Sequence, residues 1–155
     1  MKQNNKIVSV PKFKILNIFL SEAYIKIHPE NLQQNAEYEI ETGVNVDYSV
    51  NPKNKKQVQV VVSIVSNNAK QPFTFKVDMV GNIEFNRILK KEEMDRITNI
   101  NCAAIIFPFV RETIAELTRK AVTVPFILGP INFVEIYNKK ISDKQKQQET
   151  KKVKK

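Results

Sequence analysis

The residues able to carry chemistry in this chain stand singly or far apart. Cys102 is the only cysteine and His28 the only histidine. A cysteine at a helix start can be held as a thiolate. Cys102, however, is flanked by Ile100, Ala103 and Ala104, the surroundings of a small buried hydrophobe. His28 precedes Pro29 with no serine or cysteine placed to pair with it, so it is expected at the surface. Glu112 and Glu116 share a helix face, but Arg119 and Lys120 follow at i+3 and i+4 from Glu116, which makes an ion-pair ladder of them. One cysteine excludes a disulfide framework and a multi-cysteine zinc site. The three glycines, Gly43, Gly81 and Gly129, are too scattered for a phosphate-cradling loop. No acid is matched with a base, and no nucleophile with an activator. The expectation is a protein without catalytic residues, metal or cofactor, and not an enzyme.

The elements that would position a binding surface follow from hydrophobic period. Phe13 to Ile27 is an almost unbroken apolar strand region. Tyr38, Ile40, Val44, Val46, Tyr48 and Val50 alternate with polar residues from Glu37 onward, the period-two pattern of a half-buried strand. Asn51-Pro52-Lys53-Asn54 marks a turn. Val58, Val60, Val62 and Ile64 then share one face, with Val61 and Val65 on the other. After a second turn cluster, Ser66 to Pro72, the residues Phe73, Phe75, Val77 and Met79 share a face, and Gly81 suggests a bulge or break. Short turns between strands imply antiparallel pairing.

The period changes in the last third. Lys90 to Arg96 can form a short helical turn, and Asn99 and Asn101 are candidate caps for a helix. That helix carries Phe107, Val110, Ile114, Leu117 and Ala121 on one stripe, and Pro108 should start or kink it. Gly129-Pro130 breaks the chain, and Asn132 can cap a second helix with Phe133, Ile136, Tyr137 and Ile141 in line. The expected fold class is α+β: a four-stranded antiparallel sheet with two C-terminal helices packed on one face.

Composition fixes the scale and locates the charge. With 155 residues and 17.9 kDa, one domain can bury roughly 70% of its surface. The formal charge is +9. Eight lysines against two acids give +6 from Lys139 to Lys155, and four lysines give +4 from Met1 to Lys14, which leaves −1 for the body. The boundaries expected are a flexible N-terminus over 1–10, a folded domain over 11–141 and a basic disordered tail over 142–155. The longest apolar run, Cys102 to Val110, is nine residues, far short of the roughly 20 that span a bilayer. No membrane insertion is expected, and the polar N-terminus is unlike a signal peptide, which points to a cytoplasmic protein. Both faces of two strands and a stripe on each helix are apolar, more than one small layer can hide. The excess must meet another subunit or a ligand.

Two segments carry a resemblance. INCAAIIFPFVRETI (Ile100–Ile114) resembles the helix-start motif of the SecB family of protein-export chaperones, and LGPINFVEIY (Leu128–Tyr137) is similar to that family's signature at its last helix. The likeness spans about Pro11 to Ile141. It implies an ATP-independent holdase for export, a homotetramer built as a dimer of dimers, whose clients are unfolded polypeptides held in apolar grooves. By the same resemblance Val44, Val46, Tyr48, Phe75, Val77, Phe133, Ile136 and Tyr137 are groove candidates, and Ile106, Phe107, Val110, Ile114 and Leu117 belong to the oligomer interface or the core. Three departures stand out: Ala103 replaces a frequent proline, Ala121-Val122 an expected glycine, and Lys76 an expected carboxylate. Lys76 and the basic tail oppose docking to the SecA motor by charge. Related chaperones also serve toxin–antitoxin systems, where the client is an antitoxin and no motor contact is needed. The remaining alternative is an oligomer binding nucleic acid or another anionic surface through its lysine-rich ends. The near-neutral body makes nucleic acid the lesser expectation.

Overall fold

The computed structural model describes residues 11–34, 36–122 and 124–153. Four strands form one antiparallel sheet in the order β1-β4-β3-β2, with β1 Phe13–Ile27, β2 Gly43–Val50, β3 Gln57–Ser66 and β4 Phe73–Phe85. Helices follow: α1 (Lys91–Ile97), a π-helical turn (Thr98–Cys102), α2 (Ala103–Val122) and α3 (Phe133–Val153). The α+β class, the four antiparallel strands and the helices placed after them are as the sequence pattern implies.

Alternation decides which side of the sheet is covered. Val58, Val60, Val62 and Ile64 of β3 and Phe73, Phe75, Val77, Met79, Ile83 and Phe85 of β4 are buried. They face α2, whose Ile106, Phe107, Val110 and Ile114 complete the core. Gly81 makes the close approach feasible. A Cβ there would lie 2.7 Å from Ile106 Cδ1 and 3.1 Å from its Cγ1. The break expected at Gly81 does not occur, because β4 runs through it. The irregularities fall instead on β1, between Ile15 and Asn17 and between Leu20 and Glu22.

Other expectations also differ from the structure. The alternating segment Glu37–Glu41 is not strand, because β3 ends at Ser66, and the register Gly43↔Val65 leaves no partner for residues before Gly43. Asn99 and Asn101 do not cap α2: α1 passes through the π turn into α2, and the Asn99 amide donates back to Asp95 O at 2.8 Å. α2 also continues through Pro108. The tail read as disordered from residue 142 is helical to Val153, a stretch rich in Lys, Gln, Glu and Asp and exposed over 142–151, with no glycine or proline to stop it. Asn132 does cap α3, its Oδ1 accepting from the amides of Val134 (3.1 Å) and Glu135 (3.3 Å).

Replacing Gly81 with alanine should destabilise the fold by about 1–3 kcal/mol through overpacking against Ile106. Combining it with Ile106→Val, which deletes Cδ1, should cost less than the two changes summed. Urea denaturation of the four-member cycle reads this coupling.

Candidate functional site

The two long connections, between β1 and β2 and between α2 and α3, meet over one end of the sheet. The first is pinned to the β3–β4 turn by its own polar residues. The His28 amide donates to Pro72 O at 2.8 Å, and its Nε2 lies 3.2 Å from Thr74 Oγ1. Asn31 Nδ2 donates to Ala69 O (2.7 Å) and Gln71 O (3.0 Å), while Gln71 Nε2 donates to Glu39 O (3.1 Å). His28 is thus 9% exposed rather than at the surface as expected. The second connection is held by Thr118, a fully buried residue of α2 that donates to Ile114 O and accepts the Phe126 amide at 2.7 Å.

Between these loops lies an open cleft of about 450 Å³. Leu32, Tyr38 and Ile40 form one wall, Val122, Val124 and Phe126 the other, and Phe73 lies at the floor. Phe126 packs 6.0 Å from Phe73 and 6.2 Å from Phe75, ring centroid to centroid. Val124 is 71% and Ile127 54% exposed, although both are large aliphatics. Among the described residues that line it, the Tyr38 hydroxyl is the one ionisable group, and it donates to Gln33 O at 3.2 Å, so the cleft is suited to burying apolar side chains.

A second, polar cleft lies between β2, α1 and α3. The Tyr48 hydroxyl donates to Asp95 Oδ1, and burial with that carboxylate raises its ionisation well above the usual tyrosine range. Tyr137 is raised by burial and, next, by Asp95. Lys140 Nζ reaches Val46 O at 2.7 Å and Asn99 Oδ1 at 3.3 Å. On the sheet's outer face Lys76 pairs with Glu22 (2.8 Å) and Asp78 (3.2 Å), and these hydrogen bonds hold its ammonium above the usual lysine range. Among the described residues, no three His, Cys, Asp or Glu side chains converge to hold a metal ion. No helix among them is long and apolar enough to cross a membrane.

The groove candidates named from sequence separate into two groups. Phe75 and Val77 are fully buried, and Val46 and Phe133 are 2% and 5% exposed, so they present no surface in this conformation. Val44, Tyr48, Ile136 and Tyr137 are half-buried, with Tyr48 and Tyr137 meeting at the polar cleft. Ile106, Phe107, Val110 and Ile114 face the sheet, and Leu117 is half-buried against the same core. The apolar residues α2 exposes are Ile105 and Phe109, on its opposite side. Sequence reasoning missed Leu32, Val124, Phe126 and Ile127. The available signal was the run VPFIL, apolar yet fenced from helix by Pro125 and Gly129-Pro130.

Burial pushes the Cys102 thiol from 9.0 up to about 12. In native protein at about pH 8 it should resist thiol reagents and react only after unfolding in urea. The raised value also sets a sign. The unfolded chain alone ionises as pH climbs from 9.0 towards about 12, so this group costs stability across that window and none below it.

Known proteins match this chain over most of its length. The family model described as preprotein translocase subunit SecB matches residues 7–144. A protein-export protein SecB of Mesorhizobium japonicum is 35% identical over 107 residues, covering 66% of this chain and 62% of that protein. Its counterpart in Rickettsia massiliae is 29% identical over 115 residues, 74% of each chain. A SecB-like chaperone of Mycobacterium tuberculosis, solved in complex with a peptide from an antitoxin, shares the fold with a TM-score of 0.68 at 14% identity, over 77% of this chain and 90% of that one. With the family model spanning nearly the whole described fold, the chain belongs to the SecB family.

Proposed function

We propose that this chain is an ATP-independent holdase, a chaperone that binds non-native polypeptides and keeps them competent for export. The observation that carries the reading is the open cleft between the two loops, lined mainly by aliphatic and aromatic side chains from both. Membership of the SecB family and export-chaperone relatives support the same conclusion. Binding the unfolded state selectively delays folding and aggregation by mass action. Burial of apolar surface is non-directional, so Leu32, Val124 and Ile127 need no particular client sequence. Each side chain fully buried by a client contributes about 1.5–3 kcal/mol. Several such contacts along one client add through effective concentration.

The reading includes self-association as a homotetramer, a dimer of dimers, working in the cytoplasm where precursors are still unfolded. In its favour, Ile15, Leu16, Phe19, Leu20 and Tyr24 on the edge strand β1 are each 39–48% exposed, and Ile105 and Phe109 project from α2. Pairing of β1 with a second β1 would cover the strand edge and these side chains together. A partner antitoxin as the dedicated client is the second reading. It is favoured by Lys76, which pairs with Glu22 and Asp78 and so offsets one of two negative charges on the sheet face where an acidic surface would meet the SecA motor.

At stoichiometric amounts and without ATP, the protein should suppress light scattering by an aggregating client. The double variant Leu32→Asp, Val124→Asp, both in the cleft lining, should lose about tenfold or more in effective client affinity. Both positions are exposed, so its urea midpoint should stay at the wild-type value. No suppression by the wild type, or equal suppression by the variant, overturns the reading.

A further inference from the structure

Among the described residues the sheet has two edges without a strand neighbour, β1 and β2, and the structure treats them differently. The β2 register identifies which of its groups point outward. Asn51 donates its amide to Gln57 O at 2.9 Å on the β3 side, whereas the Val46 carbonyl is taken by Lys140 from outside the sheet. Amide and carbonyl of one residue point to the same side of an antiparallel strand, and sides alternate. Val44, Val46, Tyr48 and Val50 therefore offer their main-chain groups to the free edge. Lys140 sits at the centre of that row. Its ammonium lies 2.7 Å from Val46 O, 3.3 Å from Asn99 Oδ1 and 3.8 Å from Asp47 Oδ1.

The contact is built in from three elements. The π turn aims Asn99, whose amide is itself fixed on Asp95 O. Asp95 also accepts from Tyr48 of β2. α3 carries Lys140 on the same stripe as Phe133, Ile136 and Tyr137, which hold the helix to the core. β1 has no such cover. Among the described residues no side chain bonds to a β1 backbone group, and Ile15, Leu16, Phe19, Leu20 and Tyr24 stand exposed along it, interspersed with Lys14, Asn17, Ser21, Glu22 and Lys26.

We propose that Lys140 is an edge guard: by occupying the outward carbonyl of Val46 it withholds β2 from strand pairing and confines pairing between copies of this chain to β1. The consequence is closure. A β1-to-β2 contact is head-to-tail and leaves one free edge of each kind, so it propagates into an open filament. A β1-to-β1 contact is two-fold and leaves only guarded edges, so it stops. Covering a strand edge with a helix, and setting a charge against it, are known devices against unwanted pairing. The inference rests on the self-association reading above, but its test does not share that reading's fate.

The test compares full-length wild type with Lys140→Met and Lys140→Arg by sedimentation velocity over a concentration series. Lys, Met and Arg have near-equal helix propensity, so α3 is retained in each. Lys140→Met should raise the weight-average mass at the highest concentration by roughly twofold or more, growing with concentration as open assembly requires. In those species amide exchange at Val44, Val46, Tyr48 and Val50 should slow by about tenfold or more. Lys140→Arg keeps a donor and should match the wild type. Lys140→Glu, which cannot donate, should behave as Lys140→Met. A Lys140→Met mass distribution equal to wild type, or heavier species without new protection at those four amides, overturns the guard. A monomeric wild type would instead contradict self-association, and the variant comparison would still read the guard.

Discussion

The seating of α2 on the sheet at Gly81 governs the rest of the molecule. Ile106 rests where a side chain on β4 would stand, and Val110 and Ile114 continue the same stripe along the helix. This draws the helix over β3 and β4, the two central strands, and buries nearly every inward residue they carry. One helix about 10–12 Å across cannot also cover a fifteen-residue edge strand. Leu20, on the covered side of β1, is left 48% exposed. The exposure of Ile15 and Leu20, on the covered side of β1, is therefore a geometric result of one close helix–sheet contact, whereas Phe19 and Tyr24 lie on the opposite face.

The same contact places the binding cleft. Thr118 is buried near the end of α2, where its hydroxyl takes the Phe126 amide and turns the chain across the sheet. The β1–β2 connection is brought to the same end by Asn31 and Gln71. Two loops with polar anchors beneath and apolar side chains above make a surface that is held in position, the geometry on which the proposed chaperone role rests. Family membership and this geometry agree on a chaperone, while the ion cluster at Lys76 bears on which downstream machinery could dock.

Strand faces were legible because alternation survives burial: Val58 to Ile64 and Phe73 to Met79 lie on the covered side as their spacing implies. Glu37–Glu41 has the same alternation and is irregular, since pairing requires a neighbour and β3 ends too early. The stripes from Phe107 to Leu117 and from Phe133 to Tyr137 were equally readable, but periodicity marks what is buried, not what binds. The residues that remain open, Leu32, Val124 and Ile127, follow no period, because their exposure is set by loops anchored through distant side chains such as Thr118 and Asn31. Residues 142–153 misled for a different reason: lysine, glutamine and glutamate cannot build a core, yet they are good helix formers when an anchored helix precedes them. Residues 1–10, expected to be flexible, and Lys154 and Lys155 of the expected basic tail lie outside the described residues.

The central claim is that non-native chains are held at the cleft between the two loops. The most direct measurement is photocrosslinking of an unfolded client to protein carrying a crosslinker at Val124, at Leu32, or at Gln59 on the polar outer face of the sheet. The account requires strong client adducts at Val124 and Leu32, competed by unlabelled unfolded polypeptide, and only background at Gln59. Equal yields at all three positions, or adducts concentrated at Gln59, would contradict it.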